Sequence, residues 1–211
     1  MRIRQSNWIG HMEKYHTIYI FTVILFLTGI IFGAIIVNSM AFPQKQDLFF
    51  YLERFYHGYL QEDALSNNNI FKNSIIHHIQ TLGVLFFLGF AVIGMPVIWV
   101  LLFLKGVAIG FTVGFFVNQL GTNGLLFAFS AIAPQNLILI PLYIVACSLA
   151  MIFSLNLIQS IVSKRYKHSI MQSFSRYVMT FVILVAIAGI AAFLESIVSF
   201  EAMRWVASVM R

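Results

Sequence analysis

Long apolar blocks, each of the length that spans a bilayer, constrain this chain more than any other feature. Residues 17–37, 80–104, 106–120 and 125–158 contain no charged side chain, and 178–198 contain one, Glu195. A helix needs about 20 predominantly apolar residues to cross the hydrocarbon layer. Uninterrupted apolar blocks of this length are the signature of spanning helices, so an all-α, polytopic membrane bundle is expected.

The composition excludes the soluble alternatives. Of 211 residues, 60% are hydrophobic and 9% charged, against roughly 25% charged in a soluble domain. The net charge of +6 is spread between the blocks and forms no basic stripe of the kind that tracks phosphates, so no nucleic-acid partner is expected. Cys147 is the sole cysteine. It excludes an intrachain disulfide and reads as a small buried apolar side chain.

Five spans are expected in one membrane domain covering 1–211, at about 17–37, 80–104, 106–120, 135–158 and 178–198. A cleavable leader is not expected, because its apolar core runs about 7–15 residues and the first block is longer. Lys105 is read as the connection between the second and third spans. The run Gly121-Thr122-Asn123-Gly124 is read as a turn, and Pro134 as the break before the fourth helix, with 125–134 either re-entrant or spanning.

Five spans put Arg2, Arg4, Lys14, Lys105, Lys164, Arg165, Lys167 and Arg176 on one side. The other side carries Lys45, Arg54, Lys72, Arg204 and Arg211, offset by Asp47, Glu53, Glu62, Asp63 and Glu201. Cytoplasmic loops carry the excess of Lys and Arg, so the N-terminus is expected inside and the C-terminus outside. Between Pro43 and Leu60, Leu48, Phe49, Leu52, Phe55, Tyr56 and Tyr59 recur at helical spacing opposite Lys45, Gln46, Asp47, Glu53, Arg54 and His57. That pattern describes an amphipathic helix lying on the outer leaflet. It either caps the bundle or offers Phe49, Leu52, Phe55, Tyr56 and Tyr59 as a partner surface. Phe200, Met203, Val206 and Met210 repeat the pattern near the C-terminus.

Glycines recur at helix-contact spacing: Gly29 with Gly33, and Gly106 with Gly110 and Gly114. Small residues four apart let helix backbones approach closely, either within the bundle or between copies in a homo-oligomer. Glu195 lies about one turn from the outer end of the last span. Headgroups could solvate it there, or it could meet Gln135 and Asn136 near the same side. His77 and His78 enter the membrane on the second span. Adjacent histidines diverge around a helix, and no cysteine or carboxylate close in sequence completes a metal site. No HExxH, nucleophile elbow, Walker loop or paired membrane carboxylates occur. No catalytic residue, metal or cofactor is expected.

Several of these residues carry a resemblance. The run from Gly29 through Gly33 to Asn38-Ser39-Met40 resembles the stage II sporulation protein M family, as do Phe71-Lys72-Asn73 and Leu104-Lys105-Gly106 followed by Gly110 and Gly114. The phenylalanine-rich outer segment and the five-span pattern extend the likeness over the whole chain. The wider family typically shows Pro-His-Gly, then Glu, then Pro in the fourth region. Here Pro134 and Pro141 stand, but Gln135 and Leu139 replace the His and Glu. Glu195-Ser196 matches the family's glutamate near the end of the last span.

The resemblance implies a non-enzymatic scaffold of the engulfment machinery in the bacterial cell membrane, on the mother-cell side of the sporulation septum. It would recruit and hold the peptidoglycan hydrolases known as stage II sporulation proteins D and P. The competing reading is a transporter or channel component, whose polar site would lie near Gln135 and Asn136.

Overall fold

The computed structural model describes residues 7–61, 67–91, 94–129, 133–162 and 170–209. Side chains are described for 15–51, 54, 71–91, 94–122, 124–126, 128–129, 133–160 and 173–197. Among the described residues there are six α-helices and no strand: α1 (Asn7–Ser39), α2 (Phe42–Gln61), α3 (Asn67–Phe90), α4 (Gly94–Phe127), α5 (Ala133–Val162) and α6 (Ile170–Val209). Five are long and apolar enough to cross a membrane, over Tyr15–Ser39, Phe71–Phe90, Gly94–Thr122, Ala133–Ser160 and Ser173–Ile197. The all-α, five-span architecture expected from the sequence is the one observed.

The second and third spans differ from expectation. The helices break between Phe90 and Gly94, not at Lys105. Ala91 N–H donates to the Leu88 carbonyl at 3.1 Å and Gly94 N–H to the Ala91 carbonyl at 2.8 Å, closing the end of α3. Pro96, in the first turn of α4, costs no hydrogen bond there. Lys105 therefore lies inside α4, some 16 Å from Gly94 at about 1.5 Å per residue. The C-terminal end of α4 is also more structured than a plain turn. Gly121 breaks the helix with φ 60° and ψ −132°, a backbone open to glycine, and the chain is helical again from Thr122 to Phe127. Pro134 sits in the opening turn of α5, where its missing N–H is one of the helix's unpaired donors anyway.

Cross-helix contacts fix the directions. Gly29 meets Gly106 and Ala34 meets Gly114, so α1 and α4 are parallel. Thr22 pairs with Ser148 and Tyr15 with Asn156, so α5 opposes α1. His78 pairs with Tyr143, and Ser154 donates to the Ala91 carbonyl, so α3 is parallel to α5. Ser74 pairs with Glu195, and Tyr177 donates to the Phe86 carbonyl, so α6 opposes α3. Spans α1, α4 and α6 thus run one way, α3 and α5 the other. Of the five, α5 is the one buried over most of its length, because Ala146, Ser148, Ala150 and Ser154 present almost no bulk to its neighbours and are fully covered.

The glycine rows lie in the α1–α4 seam. A methyl on Gly29 would stand 2.5 Å from the Phe103 carbonyl oxygen, and one on Gly106 2.5 Å from that of Phe26. Methyls on Gly33 and Gly110 would overlap the Val107 and Ile30 carbonyls, while one on Gly114 would meet the Ala34 Cα at 3.3 Å. All five glycines are engaged within this one chain.

The amphipathic segment forms α2, bracketed by a short turn. The Ala41 N–H donates at 3.0 Å to the side-chain oxygen of Gln44, the third helical residue, whose side chain accepts as it does in a capping box. Lys45, Leu48 and Phe49 are half-buried, whereas Phe42, Phe50 and Tyr51 stay exposed. The side chains of Leu52, Phe55, Tyr56 and Tyr59 lie outside the described residues.

Candidate functional site

The buried face of α3 reads Ser74, His78, Leu82, Leu85, Gly89, at spacings of four, four, three and four residues. That is one helical stripe, and its first two members are polar. The stripe packs between α5 and α6. At its far end Phe86 and Phe153 stack on opposite sides of Tyr177, with ring centroids 5.2 and 4.3 Å away. At its near end it brings Ser74 and His78 against Glu195 of α6 and Tyr143 of α5.

His78 is buried at 3% exposure, and every ring nitrogen has a partner. Its Nε2 lies 3.1 Å from Glu195 Oε2 and 3.2 Å from Ser74 Oγ, and its Nδ1 lies 2.8 Å from the Tyr143 hydroxyl. Ser74 Oγ–H donates to the same carboxylate oxygen. A carboxylate only accepts, so Nε2 carries the hydrogen toward Glu195. In the neutral ring Nδ1 then accepts from Tyr143. Lys105 Nζ lies 4.7 Å from the centroid of the Tyr143 ring, a cation–π geometry. Four helices thus contribute Ser74, His78, Lys105, Tyr143 and Glu195 to one cluster inside the apolar slab.

The pairing of Glu195 with Gln135 does not form. Glu195 is taken up by α3, and the Gln135 side-chain oxygen is buried without a hydrogen-bond partner. His77 and His78 do diverge: His77 is exposed, while His78 turns inward. The sequence reading placed His78 at the interface and Lys105 in a loop, and missed Ser74 and Tyr143. The available signal was the stripe, since Ser74 and His78 continue the Leu82–Leu85 spacing outward.

The chemistry open to this cluster is narrow. Ser74 and His78 are not a primed nucleophile and base, because Nε2 offers Ser74 no lone pair and the serine hydrogen is already given to Glu195. Among the described residues, no three His, Cys, Asp or Glu side chains converge as metal ligands. What the cluster does is neutralise charge and hold helices together. Toward the start of α4 the buried side chains become mainly apolar, with Ile98, Leu102, Leu82, Leu85, Phe181 and Leu184 covered and Ser148 of α5 paired with Thr22 of α1 at 2.9 Å.

Fold and cluster define a multi-pass helical membrane protein whose spans meet around a hydrogen-bonded polar cluster. The family model for stage II sporulation protein M matches residues 22–200, a stretch that includes every member of the cluster and all five glycines. The chain belongs to that family. No curated protein and no solved structure matches it.

Proposed function

We propose that this sporulation membrane protein is a non-enzymatic scaffold that holds peptidoglycan hydrolases, stage II sporulation proteins D and P, at the septal membrane during engulfment. The observation that carries the reading is what stands beyond the spans at one end of the bundle. There α2 touches α6 and presents exposed Phe42, Phe50 and Tyr51. There too α6 continues as helix from the end of its apolar span at Ile197 to Val209. Exposed aromatic side chains beyond the spans support a docking role for this end of the bundle. The partner face is assigned to α2, including Phe49, Leu52, Phe55, Tyr56 and Tyr59.

The test is recovery of the two hydrolases with the tagged chain from sporulating membranes, at matched abundance. Serine at Phe50 and Tyr51, or at Phe55 and Tyr59, removes about 150–250 Å² of aromatic surface per residue. Each pair is expected to lower recovery about tenfold, equivalent to ~1.4 kcal/mol. Gln135→Ala is expected to leave recovery unchanged. Full recovery from both aromatic pairs sinks the reading.

One observation favours the transport reading: the unpartnered oxygen of Gln135, on the side chain singled out for that role. Against it, the buried polar side chains beyond the cluster are tied up pairwise, Thr22 with Ser148 at 2.9 Å and Tyr177 with the Phe86 carbonyl at 2.9 Å, and do not line a continuous polar path of the kind transport needs.

The scaffold needs its α2 end outside the cytoplasm. With Lys105 inside a span, the N-terminal side still holds Arg2, Arg4, Lys14, Lys164, Arg165, Lys167 and Arg176, which argues for a cytoplasmic N-terminus. Alkaline phosphatase fused after Arg211 is expected to be active, and fused near Lys167 silent. The reverse pattern overturns the orientation and the scaffold together.

A further inference from the structure

A lysine near the middle of a span needs a reason, because ionisable groups there are costly and by default functional. Lys105 lies about 16 Å along α4 from Gly94, and the hydrocarbon layer is about 30 Å thick. Its side chain is too deep to snorkel to headgroups as lysines near helix ends do.

The surroundings of Lys105 form a groove. On α4, α1 covers the flank of Gly106 and Gly110, and Leu101, Lys105, Ala108 and Thr112 run along the opposite flank at helical spacing. On α3, Phe181 of α6 covers the flank of Phe86, and His77, Thr81 and Val84 run along the opposite one. Tyr143 of α5 joins the two stripes from beneath: its hydroxyl meets His78 at 2.8 Å, and the Lys105 ammonium stands 4.7 Å from its ring centroid. The contact of α4 with α1 is much more extensive than its contact with α3. Leu88 and Leu101, near the break between the two helices, are half-buried, while His77, Ala108 and Thr112, farther along, are exposed. The groove therefore opens away from that break.

Its walls differ from a lipid-facing flank. The exposed flank of α1 is bulky and apolar, with Ile20, Ile24, Leu27, Ile31 and Ile35, whereas His77, Ala108 and Thr112 are small or polar. Thr81 and Thr112 return their hydroxyl hydrogens to carbonyls of their own helices, at 2.9 and 2.8 Å. Lys105 has no such return. Among the described residues, no hydrogen bond or ion pair reaches its ammonium, which rests only over the Tyr143 ring.

We propose that the groove between α3 and α4 docks a membrane-spanning helix of another protein, one with a carboxylate at mid-depth, and that Lys105 recognises this carboxylate. Small side chains at Ala108 and Thr112 let a helix backbone come close, and an ammonium meeting a carboxylate forms a charge-assisted hydrogen bond. Lipid phosphates lie beyond the hydrocarbon layer, out of reach of Lys105. A second copy of this chain brings one carboxylate within a span, Glu195, and that one is already held by Ser74 and His78. The groove lies within the membrane, apart from the α2 surface, and its probe involves neither hydrolase.

The probe is a synthetic leucine-rich spanning helix with one glutamate at its centre, reconstituted with the full chain in phosphatidylcholine vesicles. The chain carries Cys147→Ala and Ala108→Cys. Two versions of the helix place a cysteine one turn before or one turn after the glutamate, to cover both orientations. Docking is read as disulfide formation under mild oxidation. Linking at Ala108→Cys is expected to exceed linking at Ile31→Cys, on the lipid-facing flank of α1, by about tenfold, and Lys105→Met is expected to remove that excess. Replacing the helix's glutamate by leucine is expected to do the same with the chain's lysine in place, so the result does not depend on the folding of Lys105→Met. Equal linking by the glutamate and leucine helices overturns the proposal. So does an Ala108→Cys chain that links to itself in preference to the helix, which gives the groove to a second copy. Loss of linking when phosphatidylglycerol replaces part of the lipid gives Lys105 to headgroups and overturns it as well.

Discussion

Gly110→Leu is expected to pull α1 away from α4 and to lower the folded protein in membranes at least tenfold, equivalent to ~1.4 kcal/mol or more. The reason is that the obstacle is backbone. A first carbon on Gly110 already overlaps the Ile30 carbonyl, and no rotamer change moves a carbonyl out of the way. Overpacking typically costs about 1–3 kcal/mol even where side chains can yield. The seam offers a graded series. Gly110→Ala meets the same carbonyl and should be clearly destabilised. Gly114→Ala meets the Ala34 Cα at 3.3 Å and should cost less. Gly83→Ala, with open space around its added carbon, should be close to neutral. Gly124 is no control, because a side chain there would run into the Phe116 carbonyl. Thermal unfolding in nanodiscs ranks the four alanine and leucine variants. Normal accumulation of Gly110→Leu would refute the close-contact geometry, and loss of a dimer without loss of folded monomer would move the row to an interface between copies.

That seam was open to the sequence as a spacing but not as an address. Glycine every fourth residue states that two backbones approach closely. It does not state whose backbones, and the interlock of Gly29 with Gly106 settled the matter only in three dimensions. The number of spans was legible because hydrocarbon thickness sets a length. The second and third fall elsewhere than the charge pattern indicates because Lys105, though charged, lies within α4 and not between helices. A lysine inside a span is rare, yet the connection at 91–93 carries no charge at all. The stronger signal was Gly94-Met95-Pro96, since proline belongs in a first turn. The polar cluster was harder. His78 comes from the second span, Lys105 from the third, Tyr143 from the fourth and Glu195 from the fifth. Sequence separation hid their meeting, though the spacing of Ser74 and His78 on the stripe of Leu82 and Leu85 was there to be read.

Glu195→Leu is expected to be among the most damaging single changes in the chain, and Lys105→Met to repair part of the damage. Removing the carboxylate takes the acceptor from Ser74 and His78 at once. It also leaves Lys105, held only over the Tyr143 ring, as an uncompensated cation near the middle of its span. Removing one partner of a buried charge pair typically costs about 3–5 kcal/mol. Glu195 is a quarter exposed, so water reaching it screens part of the field, and a loss nearer 2–3 kcal/mol is expected. Lys105→Met alone strands the carboxylate less, because Ser74 and His78 still donate to it. The double variant removes both charges, and replacing a buried pair by apolar side chains is often close to neutral. What remains is the unmet donors at Ser74 and His78, about 1–3 kcal/mol. The expected interaction energy is therefore about 1–2 kcal/mol in the direction of rescue, although Lys105 and Glu195 sit on different helices and share no direct contact in the structure. Thermal unfolding of the four chains in nanodiscs of one lipid closes the cycle. If the double variant is as damaged as the sum of the singles, Lys105 and Glu195 do not balance each other, and the cluster is two separate polar contacts.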